Sequence, residues 1–163
     1  MIYYSSVLNY RLSIELVPST SWFDNVRSAV SKSEWDLIRK QVYKEANNIC
    51  QICGDVGHKH PVECHEIWEY DDQNYIQKLS GMIALCPKCH MVKHIGLASI
   101  KGNLDVAIAH LKKVNKISKK EAEQYIAKCF DLWSKRSLHS WSVDLSYLSK
   151  YNINPLNKNA KSK

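Results

Sequence analysis

Two Cys-x2-Cys pairs, Cys50/Cys53 and Cys86/Cys89, stand 32 residues apart and constrain this chain more than any other feature. A two-residue spacer lets both thiolates of a pair turn toward one ion, and two such pairs complete a tetrahedral site of the kind zinc accepts. Four thiolates leave no coordination position for water, so an ion held this way is structural. The chain has six cysteines, and an even count also fits disulfides. The start, MIYYSSVLNYR, has neither a basic nor an apolar leader segment, so secretion is not expected and metal binding is the better reading. The expected location is cytoplasmic. The other two, Cys64 and Cys129, lie outside the pairs, and Cys129 reads as an inert core thiol on an apolar helix face.

A chain of 163 residues, 45% hydrophobic and 24% charged, has room for one domain and enough apolar content to fold it. No apolar run is long enough to cross a membrane. Lys and Arg number 23 against 16 Asp and Glu, a net charge of +7, which favours a polyanionic partner, DNA before a membrane surface.

Patterning predicts an α+β fold. Leu12, Ile14 and Leu16 share one face of a strand over 11–17, ended by Pro18. Ser33 is placed to cap a helix running to about Asn48, with Trp35, Ile38, Val42 and Ala46 on its apolar side. Residues 50–57 form a knuckle turn, and 61–70 and 81–86 are strands of a hairpin joined by the polar stretch 71–80. Pro87 opens a helix carrying Cys89, His90 and His94 and stopping at Gly96. Asn103 and Ser118 cap two further helices, to about Val114 and Lys135, the second with a capping box through Glu121. Trp141–Tyr147 alternates as a strand, within a segment 140–148 that is expected to pair with 11–17 as a terminal antiparallel pair. One domain over 1–152 is therefore predicted, with a helical extension at 102–136 and a disordered basic tail at 153–163. Trp22, Trp35, Trp133 and Trp141 are expected in the core. Trp68, beside the histidines, reads as core or as a base-stacking residue.

His90 and His94, at i and i+4 on one helix, share a face, and His65 lies on the facing strand. The run Cys50-x2-Cys53, Cys64-His65, Cys86-Pro87-Lys88-Cys89-His90-Met91-Val92-Lys93-His94 resembles an HNH endonuclease of the zinc-knuckle type, over about 47–96. The flanking VPSTSWFDNVRS, SEWDLIRKQVYKEA and ECHEIWEYDD are similar to bacterial and phage proteins of that kind. The resemblance implies a treble-clef ββα-metal core with a structural zinc at the four paired cysteines. It also implies a second divalent ion (Mg2+, Mn2+, Ni2+ or Zn2+) on which phosphodiester bonds of DNA are cut. Carried over by position, His65 matches the general base, while His90 and His94 match the ligands of the catalytic ion. Two positions depart from the pattern. Cys64 stands where the family has an Asp, Glu or His ligand; either Cys64 packs in the core and Glu63 or Glu66 supplies an oxygen, or the ion is softer than magnesium. Gly81 stands where the family has an Asn, and Asn74 lies too far upstream to replace it.

Five acids, Glu63, Glu66, Glu69, Asp71 and Asp72, fall within ten residues around His65 and fit a cation site. Six lysines fall within 101–120, and with Lys93 the pair Lys112 and Lys113 is the expected phosphate-contacting surface. The alternative to an enzyme is a catalytically silent zinc module that binds nucleic acid or a protein. The number of copies in the active species is left open by the sequence.

Overall fold

The computed structural model describes residues 10–155; the predicted tail beyond 155 lies outside them. Its elements in chain order are α1 (Val26–Ala29), α2 (Lys32–Glu45), β1 (Glu63–Asp71), β2 (Ile76–Leu85), α3 (Pro87–Lys93), α4 (Ile95–Ile100), α5 (Leu104–Asn115), α6 (Lys119–Arg136) and β3 (Ser142–Asp144), with short 3₁₀ turns at Ser19–Ser21 and Ser146–Tyr151. The class is α+β, built on one three-stranded sheet.

Local chemistry sets most boundaries. Ser31, two residues before the expected cap, starts α2 by accepting from the Glu34 amide while Glu34 reaches back to the Ser31 amide. Ser118 and Glu121 form the same box on α6. α3 begins with Cys86 as its cap and Pro87 in its first turn. It ends at His94, whose ψ of 46° turns the chain, and Gly96 is inside α4 rather than a stop. The glycine lies against Leu16 and Phe130, so its small size serves packing.

β1 and β2 form an antiparallel hairpin pairing Glu63 with Leu85 and Asp71 with Ile76. The joining loop is therefore only Asp72–Tyr75; the expected polar loop is mostly the first half of β2. Asp71 accepts from the Gln73 and Asn74 amides, which is the turn chemistry that lets so few residues suffice. A register shift between Ile67 and Trp68 breaks the ladder opposite Gly81. A Cβ at Gly81 would come within 3.2 Å of Ile67 Cδ1, a tight contact at which Ile67 would have to yield by a few tenths of an ångström.

The expected pairing of 11–17 with 140–148 does not occur. β3 is three residues long and runs parallel to β2, Ile76 facing Ser142. Residues 11–17 are irregular, with bends at Arg11 and Leu12, and join no sheet; side chains satisfy part of their backbone. Leu12 exchanges two bonds with the Asn115 amide, Ile14 N–H donates to the Tyr125 hydroxyl, and Val17 C=O accepts from Trp133. One backbone bond, Glu15 N–H to Lys93 C=O, fastens the segment to α3.

The sheet divides the core. On one side Leu12, Ile14, Leu85, Val92, Ile95, Leu111 and Tyr125 pack the N-terminal segment, α3, α5 and α6 together. On the other Val26, Ile38, Val42, Leu79, Ala84 and Leu148 pack α1, α2 and the 3₁₀ turn. Cys129 is buried in the first cluster, as expected. Trp141 is in the interior and Trp35 and Trp133 are partly buried, but Trp22 is 47% exposed and not a core residue.

Candidate metal centres

The first centre gathers Cys50, Cys53, Cys86 and Cys89, one sulfur from each within 4.8 Å of the others. The first pair sits in a turn just after α2, reached through Asn47 and Asn48 in the left-handed region (φ 52° and 56°) and closed by Gly54 at φ 80°. Gln51 ties this turn to β2, its amide donating to Ala84 C=O and its side chain accepting from Ala84 N–H. The second pair brackets the first turn of α3, where the Cys89 amide donates to Cys86 Sγ. Gly57 lets His60 C=O and Pro87 approach within 2.1 and 2.7 Å of where a Cβ would stand, closing the loop over the second pair.

The thiols cannot all ionise unaided. Hydrogen bonding from Cys89 draws Cys50 down to about 4, whereas burial beside its neighbours pushes Cys86 up to about 11 and hydrogen bonding to Cys50 pushes Cys89 higher still. Four converging sulfurs of this kind fit a cation that removes the competition, and they can hold zinc. His110 on α5 stands 3.2 Å from Cys89 Sγ through Nε2, an outer partner that no spacing in the sequence announces.

The second centre brings together His65, His90 and His94, again with one ligand atom from each within 4.8 Å. Strand alternation and helix periodicity place them as expected: His65 faces α3 from β1, and His90 and His94 face back. Their rings meet edge to face at centroid distances of 4.7 to 5.2 Å. Two rings are held from behind by carboxylates. Glu15 accepts at 2.8 Å from His65 Nε2, and Glu63 lies 2.5 Å from His90 Nδ1. Among the described residues that leaves His65 Nδ1 and His90 Nε2 without a carboxylate partner, on rings fixed in orientation. Burial holds His65 and His94 below the usual imidazole range, His94 at about 3, with the neighbouring rings adding repulsion. Glu63 is held low by the hydrogen bond from His90. The neutral imidazole is the state in which histidine binds a transition metal, and burial favours it at His65 and His94.

Cys64 is not part of this group. It packs against the cluster containing Val42 and Ala84, at the margin of the cleft that the histidines line, and burial pushes its thiol up to about 12. Of the expected oxygen donors, Glu63 backs His90, while Glu66 accepts from the Val26 amide and Trp68 Nε1. Asp72 pairs bidentately with Arg136 at 2.7 and 2.8 Å, so the acidic run mostly serves the fold.

Lys93 is likewise not on a phosphate-contacting surface. It is 5% exposed and donates at 2.6 Å to Glu15 Oε1 and at 2.8 Å to Ser13 Oγ. Lys113 is exposed and Lys112 half-buried on α5. Glu15, which joins Lys93 to His65, was not singled out by its sequence position; the alternation of 11–17 turns it away from the apolar face, but its partners are 50 and 78 residues distant.

The histidines line a cleft of about 270 Å³ together with Glu15, Trp22, Asn25, Arg27, Trp35 and Trp68. An adjoining apolar hollow of about 490 Å³ shares Glu15, Val17, Trp22 and His94 with it and is bounded by Phe23, Leu97, Ile100, Phe130 and Trp133. What the fold and sites define is an α+β chain with a four-cysteine cluster able to hold zinc and a second, histidine-lined group beside an open cleft. No family model, curated protein or solved structure matches the chain. No helix among the described residues is long and apolar enough to cross a membrane.

Proposed function

We propose that this chain is a metal-dependent endonuclease of the HNH type that hydrolyses phosphodiester bonds in DNA. The observation that carries the reading is the convergence of His65, His90 and His94 at the mouth of a cleft, two of them oriented by carboxylates. A β-hairpin followed by α3, with a cysteine pair before the hairpin and another at the start of α3, is the order that a treble-clef core requires. In this reading zinc at the four cysteines is structural and fixes β2, α3 and the knuckle to one another.

His90 and His94 fit a divalent ion, which would supply Lewis acidity toward the phosphoryl and departing 3′ oxygens. With Cys64 outside the converging group, the donors are imidazoles, which suit zinc or nickel better than magnesium or manganese. His65 takes the proton of the attacking water at Nδ1 while Glu15 holds its Nε2–H, the orienting relation by which a carboxylate fixes a base. The water oxygen bonds to phosphorus, the P–O3′ bond breaks, and the leaving oxygen is protonated from solvent. Glu15 in turn is held in place by Lys93.

A second reading of His65 is favoured by the same 4.8 Å convergence: it serves as a third ligand rather than as the base. Conversion of supercoiled plasmid to open-circle or linear form in Mg2+, Mn2+, Ni2+ or Zn2+ tests the function, with His65→Ala alongside. Cleavage by the wild type that is lost in His65→Ala is expected. If the variant also loses its second ion, His65 is a ligand; if it keeps the ion, it is the base. Absence of cleavage with every metal in a folded, zinc-loaded chain would favour the silent binding module.

A further inference from the structure

The cleft beside the histidines has a second functional wall. Arg27, exposed on α1, is the one Lys or Arg among its lining residues, and its side chain makes no ion pair among the described residues. The nearby carboxylates are occupied: Glu15 by Lys93 and His65, and Glu66 by Val26 N–H and Trp68. A guanidinium left free at the edge of a site with converging imidazoles is placed to take a phosphate oxygen. Next to it, Trp22 is 47% exposed and Phe23 78% exposed, an arrangement that burial alone does not explain. Trp133 and Trp141 spend their indole N–H groups on backbone carbonyls; the Trp22 indole has no such bond among the described residues. Trp22 also stands where the histidine-lined cleft meets the apolar hollow bounded by Phe23, Leu97 and Ile100.

We infer that Arg27 and Trp22 form a nucleotide subsite that takes one phosphate and one unstacked base of a single-stranded nucleic acid. Arg27 holds the phosphate flanking the bond to be cut, and the base lies on Trp22 with its edge toward Phe23 and Ile100. A base paired inside a duplex cannot offer its face to an indole, so single strands or flipped nucleotides are preferred over intact duplex. The substrate is named on the strength of the nuclease reading above; the subsite itself is tested by binding, apart from cleavage.

The test is titration of a tetrathymidylate, followed by quenching of tryptophan fluorescence and by calorimetry, into the chain carrying zinc but no added second metal. An abasic tetranucleotide of the same charge, inorganic phosphate and a hairpin duplex are run in parallel. Arg27→Ala is expected to weaken the tetrathymidylate and the abasic strand alike, by about tenfold or more, with Arg27→Lys recovering part. Trp22→Ala is expected to weaken the tetrathymidylate by about tenfold and leave the abasic strand unchanged. Lys128→Ala, exposed on α6 away from the cleft lining, should lose far less than either. Equal binding of the tetrathymidylate by wild type and Arg27→Ala, or tighter binding of the duplex than of the single strand, would overturn the inference. Subsite binding without plasmid cleavage would remove the nuclease reading and leave the subsite. Cleavage without dependence of binding on Arg27 or Trp22 would do the reverse.

Discussion

Glu15 bears on both the histidine group and the folded core. It accepts from buried Lys93 through one oxygen and from buried His65 through the other. Removing the acid while leaving the ammonium inside should cost more than removing both. Glu15→Ala is expected to lower unfolding stability by roughly 3–5 kcal/mol, and Glu15→Ala/Lys93→Met to recover most of that loss in a denaturant double-mutant cycle. Simple addition of the two single effects would show the pair to be independent. His94 sets the sign of a pH effect. Its folded pKa, about 3, lies below the ordinary imidazole value near 6.5, so the unfolded chain takes up its proton first on acidification. Without a second metal, stability is full above about pH 6.5 and falls as pH drops toward 3, by up to about 1.4 kcal/mol per pH unit from this group. In His94→Gln that part of the slope should be missing when urea midpoints are compared between pH 7 and pH 5; an unchanged slope would contradict the assignment. The sequence could indicate His65, His90 and His94 because a strand period and a helix period converge. It could not indicate Glu15 or His110, whose partners are distant along the chain.

At the level of elements, caps and spacings were legible and pairing was not. Ser118–Glu121 and Pro87 announced α6 and α3, because those bonds lie within one turn of sequence. Ser118→Ala should cost about 1 kcal/mol in a thermal or urea melt, the ordinary effect of losing a helix cap. The strand expected at 11–17 is not formed: side chains of Asn115, Tyr125 and Trp133 take the places of ladder partners, and alternation says nothing about who pairs. The length of β2 was hidden for a related reason. Gln77 and Lys78 look polar, yet Gln77 is buried and bonded to Ser21, so a composition-based boundary fell in mid-strand. The cysteine knuckle joins these elements at the first apolar cluster, of which Cys50, Ile52, Cys86 and Cys89 are members. Cys53→Ala or extraction of zinc is expected to unfold the hairpin and α3, visible as loss of amide protection there, since a structural zinc contributes about 10–16 kcal/mol of apparent binding energy. Full protection after zinc is removed would show that the apolar clusters hold the fold unaided.

Over the whole molecule, two donor sets of different chemistry sit on either end of the same short helix. Soft sulfurs converge at the start of α3 and imidazoles at its end, so one helix registers a site that fits a structural ion and a site that fits a reactive one. We propose that the second set holds its own ion. Native mass spectrometry with zinc or nickel in slight excess counts ions per chain in wild type and in His90→Ala/His94→Ala. Two ions in the wild type and one in the variant is the predicted result. One ion in both proteins would contradict it, leaving the histidines as a packed cluster and the chain as a zinc module without a catalytic metal.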